Sequence, residues 1–241
     1  FEQWDPSILI EDLMEGKIIG VVKGQAEHGP RALGHRSILC NPSIPEMKDT
    51  LNAKVKNREW YRPFAPVVRL EDVSKYFEFE GESRWMTFCP KVREEWREKL
   101  AAITHVDFTA RVQTVTKEQN EFLYNLLTDF EAANGVGVLL NTSFNINGKP
   151  ILSTYSDAFK IYEKTQLDCL LLEDYYIRKE SKKLVFNTAP AANSEVKVIY
   201  TDFDITLLKN RQITGVTSGA TALVERSVKR IITDRLNLGF P

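Results

Sequence analysis

Four polar clusters along the sequence contain residue types that bind phosphate or carboxylate groups. Arginine offers a planar, permanently charged fork of donors, lysine a point charge, and serine and asparagine neutral donors at fixed positions. The clusters are residues 29–37 (GPRALGHRS), Lys56 with Arg58 and Arg62, His105 with Asp107 and Arg111, and residues 141–145 (NTSFN) with Asn141, Ser143 and Asn145. Together they predict one composite site for a small anionic ligand.

The first cluster belongs to a glycine-rich stretch, residues 24–38, in which glycines allow the backbone to approach a ligand closely. Its glycine spacing is that of half a nucleotide-triphosphate loop, but Pro30 and Arg31 stand where lysine followed by serine or threonine would be needed. The stretch is therefore not that loop. A plain glycine-rich turn with solvated arginines is the alternative for this stretch alone.

The other clusters also have simpler interpretations when each is taken alone. Lys56 and Arg58 suit a solvated helix end, and residues 141–145 suit an asparagine-rich turn. Arg111 is harder to dismiss, because the alternation of residues 110–115 places it on one face of a predicted strand. If that face is buried, the guanidinium needs an anion.

A protein-held metal is not expected. His105 and Asp107 are one residue apart, but no other histidine or cysteine lies at ligand spacing. The three cysteines are far apart and form no CxxC pair, which favours a reducing, cytoplasmic setting with all three in the core.

Composition restricts the partners. The 241-residue chain has a formal net charge of -1, so it has no general attraction for nucleic acid or an anionic membrane. No apolar run is long enough to span a bilayer. The chain is long enough for one large or two small domains.

Alternating helices and strands predict an α/β or α+β architecture. Residues 56–66 contain two prolines and are expected to form an ordered loop. Thr116 and Gln119 have the spacing of a capping box, and Gly135 is placed to end the helix that follows. The predicted helices are residues 5–16, 45–57, 71–77, 92–103, 116–135 and 157–165, and the predicted strands are residues 17–23, 35–40, 67–70, 110–115, 136–140 and 170–178.

The carboxy-terminal part is predicted as a polar link at residues 181–194, strands within 196–208 and a helix at 218–237. The string from Asp202 to Thr206 resembles the start of haloacid-dehalogenase-type phosphatases, but Ile205 replaces the usual glycine and only 35 residues remain. A strand and helix that extend the main domain, or the start of a truncated second domain, is the preferred interpretation.

Four strings, EHGPRALGHRSIL, KNREWYRPFAPVV, HVDFTARVQTV and LLNTSFNINGKPI, closely resemble the carboxy-terminal domain of the O-carbamoyltransferases of the nodulation and antibiotic-tailoring type. The resemblance covers about residues 8–179. It implies a YrdC-like twisted mixed sheet flanked by helices over residues 1–180, with residues 181–241 as a linker and a small strand–helix extension of unknown role.

The same resemblance implies an activity: formation of carbamoyl-adenylate from carbamoyl phosphate and ATP, with Mg²⁺ bridging the phosphates. An amino-terminal domain would transfer the carbamoyl group to a hydroxyl, and a homodimer is possible. The implied catalytic residues are Lys56, Arg58, Ser143 and Asn145, and the implied ligand-binding residues are Arg31, Arg62, His105, Arg111 and Asn141. Arg36 is instead expected to support the glycine-rich stretch.

Two other functions stay open, and departures from the family pattern motivate the first of them. Phe108 stands where glycine is frequent, and Lys149 where glutamate is common. One alternative is therefore a nucleotide-binding or docking domain that has lost catalysis. The other is a threonylcarbamoyl-adenylate synthase, which the strings disfavour.

Overall fold

The computed structural model describes residues 2, 3 and 5–179. The predicted link at 181–194, the strands at 196–208 with the Asp202 string, and the helix at 218–237 lie outside the described residues.

Within the described residues, eight strands form one mixed sheet in the order β1-β8-β7-β2-β3-β6-β4-β5. The pairs β2–β7 and β4–β5 are parallel, and the other neighbours are antiparallel. The strands are β1 (Glu2–Gln3), β2 (Ile19–Val22), β3 (Arg36–Cys40), β4 (Ala65–Arg69), β5 (Gln113–Val115), β6 (Val138–Ser143), β7 (Cys169–Leu172) and β8 (Tyr175–Arg178).

Five α-helices accompany the sheet in the described part of the chain. They are α1 (Pro6–Met14), α2 (Met47–Leu51), α3 (Val73–Tyr76), α4 (Glu121–Asn134) and α5 (Tyr155–Lys164). Asp5, Asn120 and Thr154 cap the amino termini of α1, α4 and α5 by accepting backbone N–H bonds. None of the helices in residues 5–179 has the length and apolar character needed to cross a bilayer.

The helices cover both faces of the sheet, because successive strand residues point to opposite sides. One buried cluster contains side chains of α1 and α4, such as Leu13 and Phe130, packed on Val21 and Leu139. The other contains side chains of α2, α3 and α5 packed on the opposite face. This mixed sheet between helices confirms the expected α/β fold.

Several local predictions were wrong in an informative way. Residues 92–103 do not form a continuous helix, because the Val92 and Arg93 amides donate to Phe108 and Tyr76 carbonyls and leave only a 3₁₀ turn at Glu94–Trp96 and further turns. The predicted strand at 110–115 shortens to β5. Cys89 is exposed rather than buried.

The predicted capping box forms, but in a turn that precedes the helix. Thr116 and Gln119 bond each other's backbone N–H groups through their side chains, at 3.1 and 3.4 Å. The cap of α4 is Asn120, whose Oδ1 accepts from the Leu123 amide at 2.9 Å. Gly135 ends α4 with a φ of 73°, as predicted.

A buried carboxylate joins α1 to the last two strands. Asp12 is fully buried and accepts from Lys17 Nζ at 2.6 Å, from the Tyr176 hydroxyl and Arg178 Nε at 2.8 Å each, and from Cys169 Sγ at 3.3 Å. Burial alone would raise the pKa of Asp12, but these four donors together lower it. The ionised form is therefore the one that holds α1 in place.

We expect Asp12→Asn to lower the free energy of unfolding by about 3 kcal/mol, because it removes one partner from a buried ionic network. Urea denaturation at neutral pH measures the change, and Glu11→Gln on the exposed side of α1 is the matched control. Because the pKa of Asp12 is lowered on folding, the stabilisation is present above the unfolded-state pKa of about 4 and is lost as the pH falls through the lower folded-state value. Equal urea midpoints for the two variants would contradict this role.

Candidate functional site

The sheet topology brings all four polar clusters to one edge. β6 ends at Ser143, and the antiparallel strands β3 and β4 begin beside it, with Ser37 paired to Ser143 and Ala65 to Asn141. β5 is parallel to β4 and so begins at the same edge. The segments that precede β3, β4 and β5 therefore meet the end of β6 and the segment that follows it. These segments, with Asn141 and Ser143 on β6, contain the predicted site residues.

Lys56 reaches this edge through a change of helix type. α2 continues into a π-helical turn, Asn52–Lys56, which ends at Asn57 in a left-handed conformation with a φ of 47°. Such turns are rare and widen the helix locally. Lys56 is only 3% exposed, which excludes the solvated helix end considered from the sequence.

The Lys56 ammonium is surrounded by oxygens of Ser143 and Asn145, the third and fifth residues of the string 141–145. Nζ donates to the Ser143 carbonyl, to Asn145 Oδ1 at 2.9 Å, to the Asn145 carbonyl at 3.3 Å and to Ser143 Oγ at 3.4 Å. The Ser143 hydroxyl donates to Asn145 Oδ1 at 2.8 Å. Lys56, Ser143 and Asn145 thus form one connected unit, in which the lysine is held beside the end of β6.

The predicted loop at 56–66 is shorter in the structure, residues 57–64, because Lys56 belongs to the π-helical turn and Pro66 to β4. Asn52 holds this loop in place. Asn52 Oδ1 accepts from Arg58 Nε at 2.7 Å, and its Nδ2 donates to the Arg62 carbonyl at 3.0 Å. The Arg58 guanidinium also lies 4.5 Å from the centre of the Phe64 ring. Arg62 is more exposed and pairs with Glu59 at 2.9 Å.

Five cations gather here, and we call Arg31, Lys56, Arg58, Arg62 and Arg111 the cationic cluster. Burial and the charge of Arg58 lower the pKa of Lys56 to about 7. Burial, followed by Arg62, lowers the pKa of Arg58, and burial followed by Arg31 lowers that of Arg111. A positive neighbour is thus the second cause, after burial, of each lowered pKa.

Few of the positive charges in the cationic cluster are balanced by a neighbouring carboxylate. Among the described residues, only Arg62 of the five forms an ion pair with a carboxylate. Arg111 is partly buried and makes no side-chain hydrogen bond or ion pair within that part of the chain. Half-buried cations without counter-charges are what an anion-binding site requires before its ligand arrives.

The glycine-rich stretch lies at this edge of the sheet, and two of its own side chains hold its backbone in place. Glu27 Oε1 accepts the backbone amides of Leu33 at 2.7 Å and His35 at 2.9 Å. The Arg36 guanidinium is buried and donates to the carbonyls of His35 at 2.9 Å and Gly24 at 3.0 Å. Arg36 therefore supports the stretch, as predicted, and leaves Arg31 exposed.

Two buried polar side-chain atoms lack a partner in the described structure, and both belong to predicted site residues. They are His105 Nε2 and Asn141 Oδ1. His105 Nδ1 lies 3.0 Å from Thr109 Oγ1, and burial lowers the pKa of His105 and favours the neutral ring. Unsatisfied buried polar atoms are rare, and a ligand that completes them offsets their cost.

Sequence reasoning missed the residues that hold this site in position. Asn52 and Glu27 were not singled out, because a single amide or carboxylate gives no local pattern. Gln113, which falls within the alternating stretch 110–115, is 1% exposed and bonds Asn141. The signal for Gln113 was a polar residue inside an apolar strand, which needs a partner.

Phe108, one of the departures from the family pattern, has a left-handed backbone with a φ of 64°. That conformation is easy for glycine and strained for a bulky residue, which is a physical reason for glycine at this position. The exposed ring lies 4.3 Å from the Arg97 guanidinium.

Comparisons with known proteins bear on the family and the fold of the chain. Residues 10–179 match the family model described as Carbamoyltransferase C-terminus. Nodulation protein NolO of Bradyrhizobium diazoefficiens is 44% identical over 184 residues, covering 75% of this chain and 34% of that protein. The 3'-hydroxymethylcephem-O-carbamoyltransferase of Streptomyces clavuligerus is 41% identical over 175 residues, covering 73% and 33%. The chain thus spans about a third of these relatives.

Among solved structures, full-length HypF matches with a TM-score of 0.50 and 22% identity, covering 70% of this chain and 25% of that chain. The likeness and the mixed sheet together confirm the YrdC-like fold that the resemblance implied.

We expect Arg111→Ala to weaken the binding of inorganic pyrophosphate about tenfold or more, because a charge-assisted hydrogen bond contributes at least about 1.5 kcal/mol. Isothermal titration calorimetry measures the affinity. Lys160→Ala removes one positive charge from the exposed side of α5 and is the matched control. Equal affinity for the two variants would refute the placement of Arg111.

We expect anion binding at pH 8 to be accompanied by proton uptake. The pKa of Lys56 is about 7 in the free protein, so the amine is mostly neutral at pH 8, and a bound anion raises that pKa. Calorimetry with pyrophosphate in buffers of different ionisation enthalpy measures the uptake, and the affinity falls as the pH rises above 7. Lys56→Met is expected to abolish most of the uptake, whereas the exposed Lys54→Met retains it; equal uptake in both would contradict the assignment.

Proposed function

The chain belongs to the carbamoyltransferase C-terminal family, and from that membership and the cationic cluster we propose that it forms carbamoyl-adenylate from carbamoyl phosphate and ATP. The observation that most supports this function is that Arg58 and Arg111 are partly buried without carboxylate partners in the described chain, at the edge of the sheet where Lys56 bonds Ser143 and Asn145. Such a site suits a ligand with several phosphates. The HypF chain that shares the fold was solved in a phosphate- and nucleotide-bound form.

The proposed reaction consumes one water molecule and releases one orthophosphate and one pyrophosphate. Carbamoyl phosphate loses orthophosphate to water and gives carbamate. A carbamate oxygen then attacks the α-phosphorus of ATP, and the bond from that phosphorus to the bridging oxygen of pyrophosphate breaks. The products are carbamoyl-adenylate, orthophosphate and pyrophosphate.

In this proposal the protein contributes position and charge rather than a covalent nucleophile. Arg31, Arg58, Arg62 and Arg111 bind and neutralise the phosphates, which lowers the repulsion between carbamate and ATP. Ser143 and Asn145, held by the buried Lys56, orient the reacting groups at the end of β6. His105 and Asn141 complete the ligand contacts through their unsatisfied atoms.

Mg²⁺ fits this site as a companion of the nucleotide rather than as a protein-held ion. The donor set of the cationic cluster is guanidinium and ammonium, which bind phosphate and not a cation. When bound to the phosphates, Mg²⁺ would neutralise part of their charge. No group of three or more metal-ligating side chains is found within residues 5–179.

The transfer of the carbamoyl group to a hydroxyl is assigned, in this proposal, to an amino-terminal domain. The curated relatives are about three times as long as the region that matches this chain. Supplied without that domain, the chain is expected to stop at carbamoyl-adenylate.

We expect the folded chain, given ATP and Mg²⁺, to release pyrophosphate only when carbamoyl phosphate is added, because carbamate is the attacking nucleophile. A coupled pyrophosphate assay gives the rate, and mass spectrometry identifies the adenylate. Arg111→Ala is expected to lower kcat/KM about tenfold or more, and Lys160→Ala to leave it unchanged.

Two outcomes would contradict the proposal in different ways. Tight ATP binding without pyrophosphate release, by a chain that is folded by circular dichroism, would assign a nucleotide-binding or docking role. Release driven by bicarbonate and threonine instead of carbamoyl phosphate would assign a threonylcarbamoyl-adenylate synthase.

A further inference from the structure

Two buried amide side chains lie next to each other at the edge of the sheet that holds the cationic cluster. Asn141 on β6 and Gln113 on β5 are each 1% exposed. The two strands are separated by β4, whose Ala65 is paired with Asn141. A small residue at this position leaves room for the two amides to meet, and Asn141 Nδ2 lies 2.5 Å from Gln113 Oε1.

The orientation of both amides is determined by a backbone group. Asn141 Nδ2 donates to the carbonyl of Ala32 at 3.0 Å, and a carbonyl can only accept. The nitrogen of Asn141 must therefore face Ala32, and the same nitrogen donates to Gln113, whose oxygen must face Asn141. Neither amide can be turned over without losing a hydrogen bond.

This orientation leaves one acceptor and one donor unused. Asn141 Oδ1 is buried and has no partner, and Gln113 Nε2 makes no hydrogen bond to the described residues. A carbamoyl group, H₂N–C(=O)–, presents the matching pair: N–H groups that donate and a carbonyl oxygen that accepts. We infer that Asn141 and Gln113 recognise the carbamoyl group of the substrate, with Asn141 Oδ1 accepting from its NH₂ and Gln113 Nε2 donating to its carbonyl.

The neighbours of the pair agree with a carbamoyl group that is attached to a phosphate. Arg31 directly precedes the Ala32 carbonyl that orients Asn141, and Arg111 lies two residues before Gln113, just ahead of the start of β5. Cations for phosphate thus stand beside the amides. Adenine also has adjacent donor and acceptor atoms, but in ATP the ribose separates the base from the nearest phosphate.

Specificity follows because Asn141 contacts the NH₂ of the carbamoyl group, whereas Gln113 contacts its carbonyl. Acetyl phosphate has the same shape and the same carbonyl as carbamoyl phosphate, but a methyl group replaces the NH₂. Bound acetyl phosphate would leave Asn141 Oδ1 buried without a partner, and a site built to hydrogen-bond a substrate strongly rejects an analogue that lacks the bonding group. Gln113 contacts the carbonyl, which both compounds share.

The inference rests on the proposed function for the identity of the substrate, but its test measures binding and not turnover. Carbamoyl phosphate and acetyl phosphate are titrated separately into the full chain with a non-hydrolysable ATP analogue and Mg²⁺ present. We expect carbamoyl phosphate to bind about tenfold or more tightly. Asn141→Leu should reduce that ratio to below about threefold, Gln113→Glu should weaken both ligands by similar factors, and Thr142→Val, the next residue on β6, should preserve both affinities.

Each result of this binding experiment either supports or overturns the inference. Equal affinities in the wild type, or an unchanged ratio in a folded Asn141→Leu variant, overturn the inference and leave the amide pair as a structural link between strands. If Asn141→Leu does not fold, unchanged affinities in Gln113→Glu overturn it. If Asn141→Leu loses a preference for ATP over ITP that the wild type shows, and keeps the wild-type ratio of carbamoyl phosphate to acetyl phosphate affinity, the pair recognises adenine instead. Selective binding without pyrophosphate release supports the inference while the proposed activity fails.

Discussion

The burial of positive charges without carboxylate partners is the constraint on which the rest of this site depends. Burial first, and positive neighbours second, lower the pKa values of Lys56, Arg58 and Arg111, and Arg62 alone among the five cations pairs with a carboxylate in the described chain. Holding such charges together costs free energy, which the hydrophobic packing on both faces of the sheet must offset. The cost is recovered when an anion binds, so a site that destabilises the free protein can favour its complex.

The sheet supplies the rigidity that this arrangement needs. β6 is hydrogen-bonded on both sides, to β3 and β4, so its end cannot move away from the starts of its neighbours. The buried Lys56 links the π-helical turn to the residues after β6 through a hydrogen bond to Asn145. Arg36 holds the glycine-rich stretch in place by donating to backbone carbonyls within it. Charges that are held in segments fixed in this way need little reorganisation when the ligand arrives.

The sequence predicted the elements better than their junctions. Apolar periodicity located α4 and its end at Gly135, because one face of the helix packs on the sheet. It failed at 92–103, where backbone groups pair with distant segments that no local pattern reveals. The buried position of Lys56 at the end of the π-helical turn was equally hidden, since its side chain bonds Ser143 and Asn145, which lie far along the chain. Anion-binding side chains were visible as types, whereas Asn52 and Glu27, which position them, were not.

Charged residues and neutral polar residues contribute differently to ligand binding at this edge of the sheet. Arginines attract any phosphate, and their long side chains adjust to several geometries, so they contribute affinity with little discrimination. A buried amide has a fixed donor and a fixed acceptor, and a mismatched ligand leaves one of them without a partner in a place that water does not reach. Discrimination between phosphate esters of similar shape therefore has to come from the residues that bear no charge. The strands, not the loops, hold those residues, because a difference of one hydrogen bond is useful only where the backbone cannot shift to accommodate the wrong ligand.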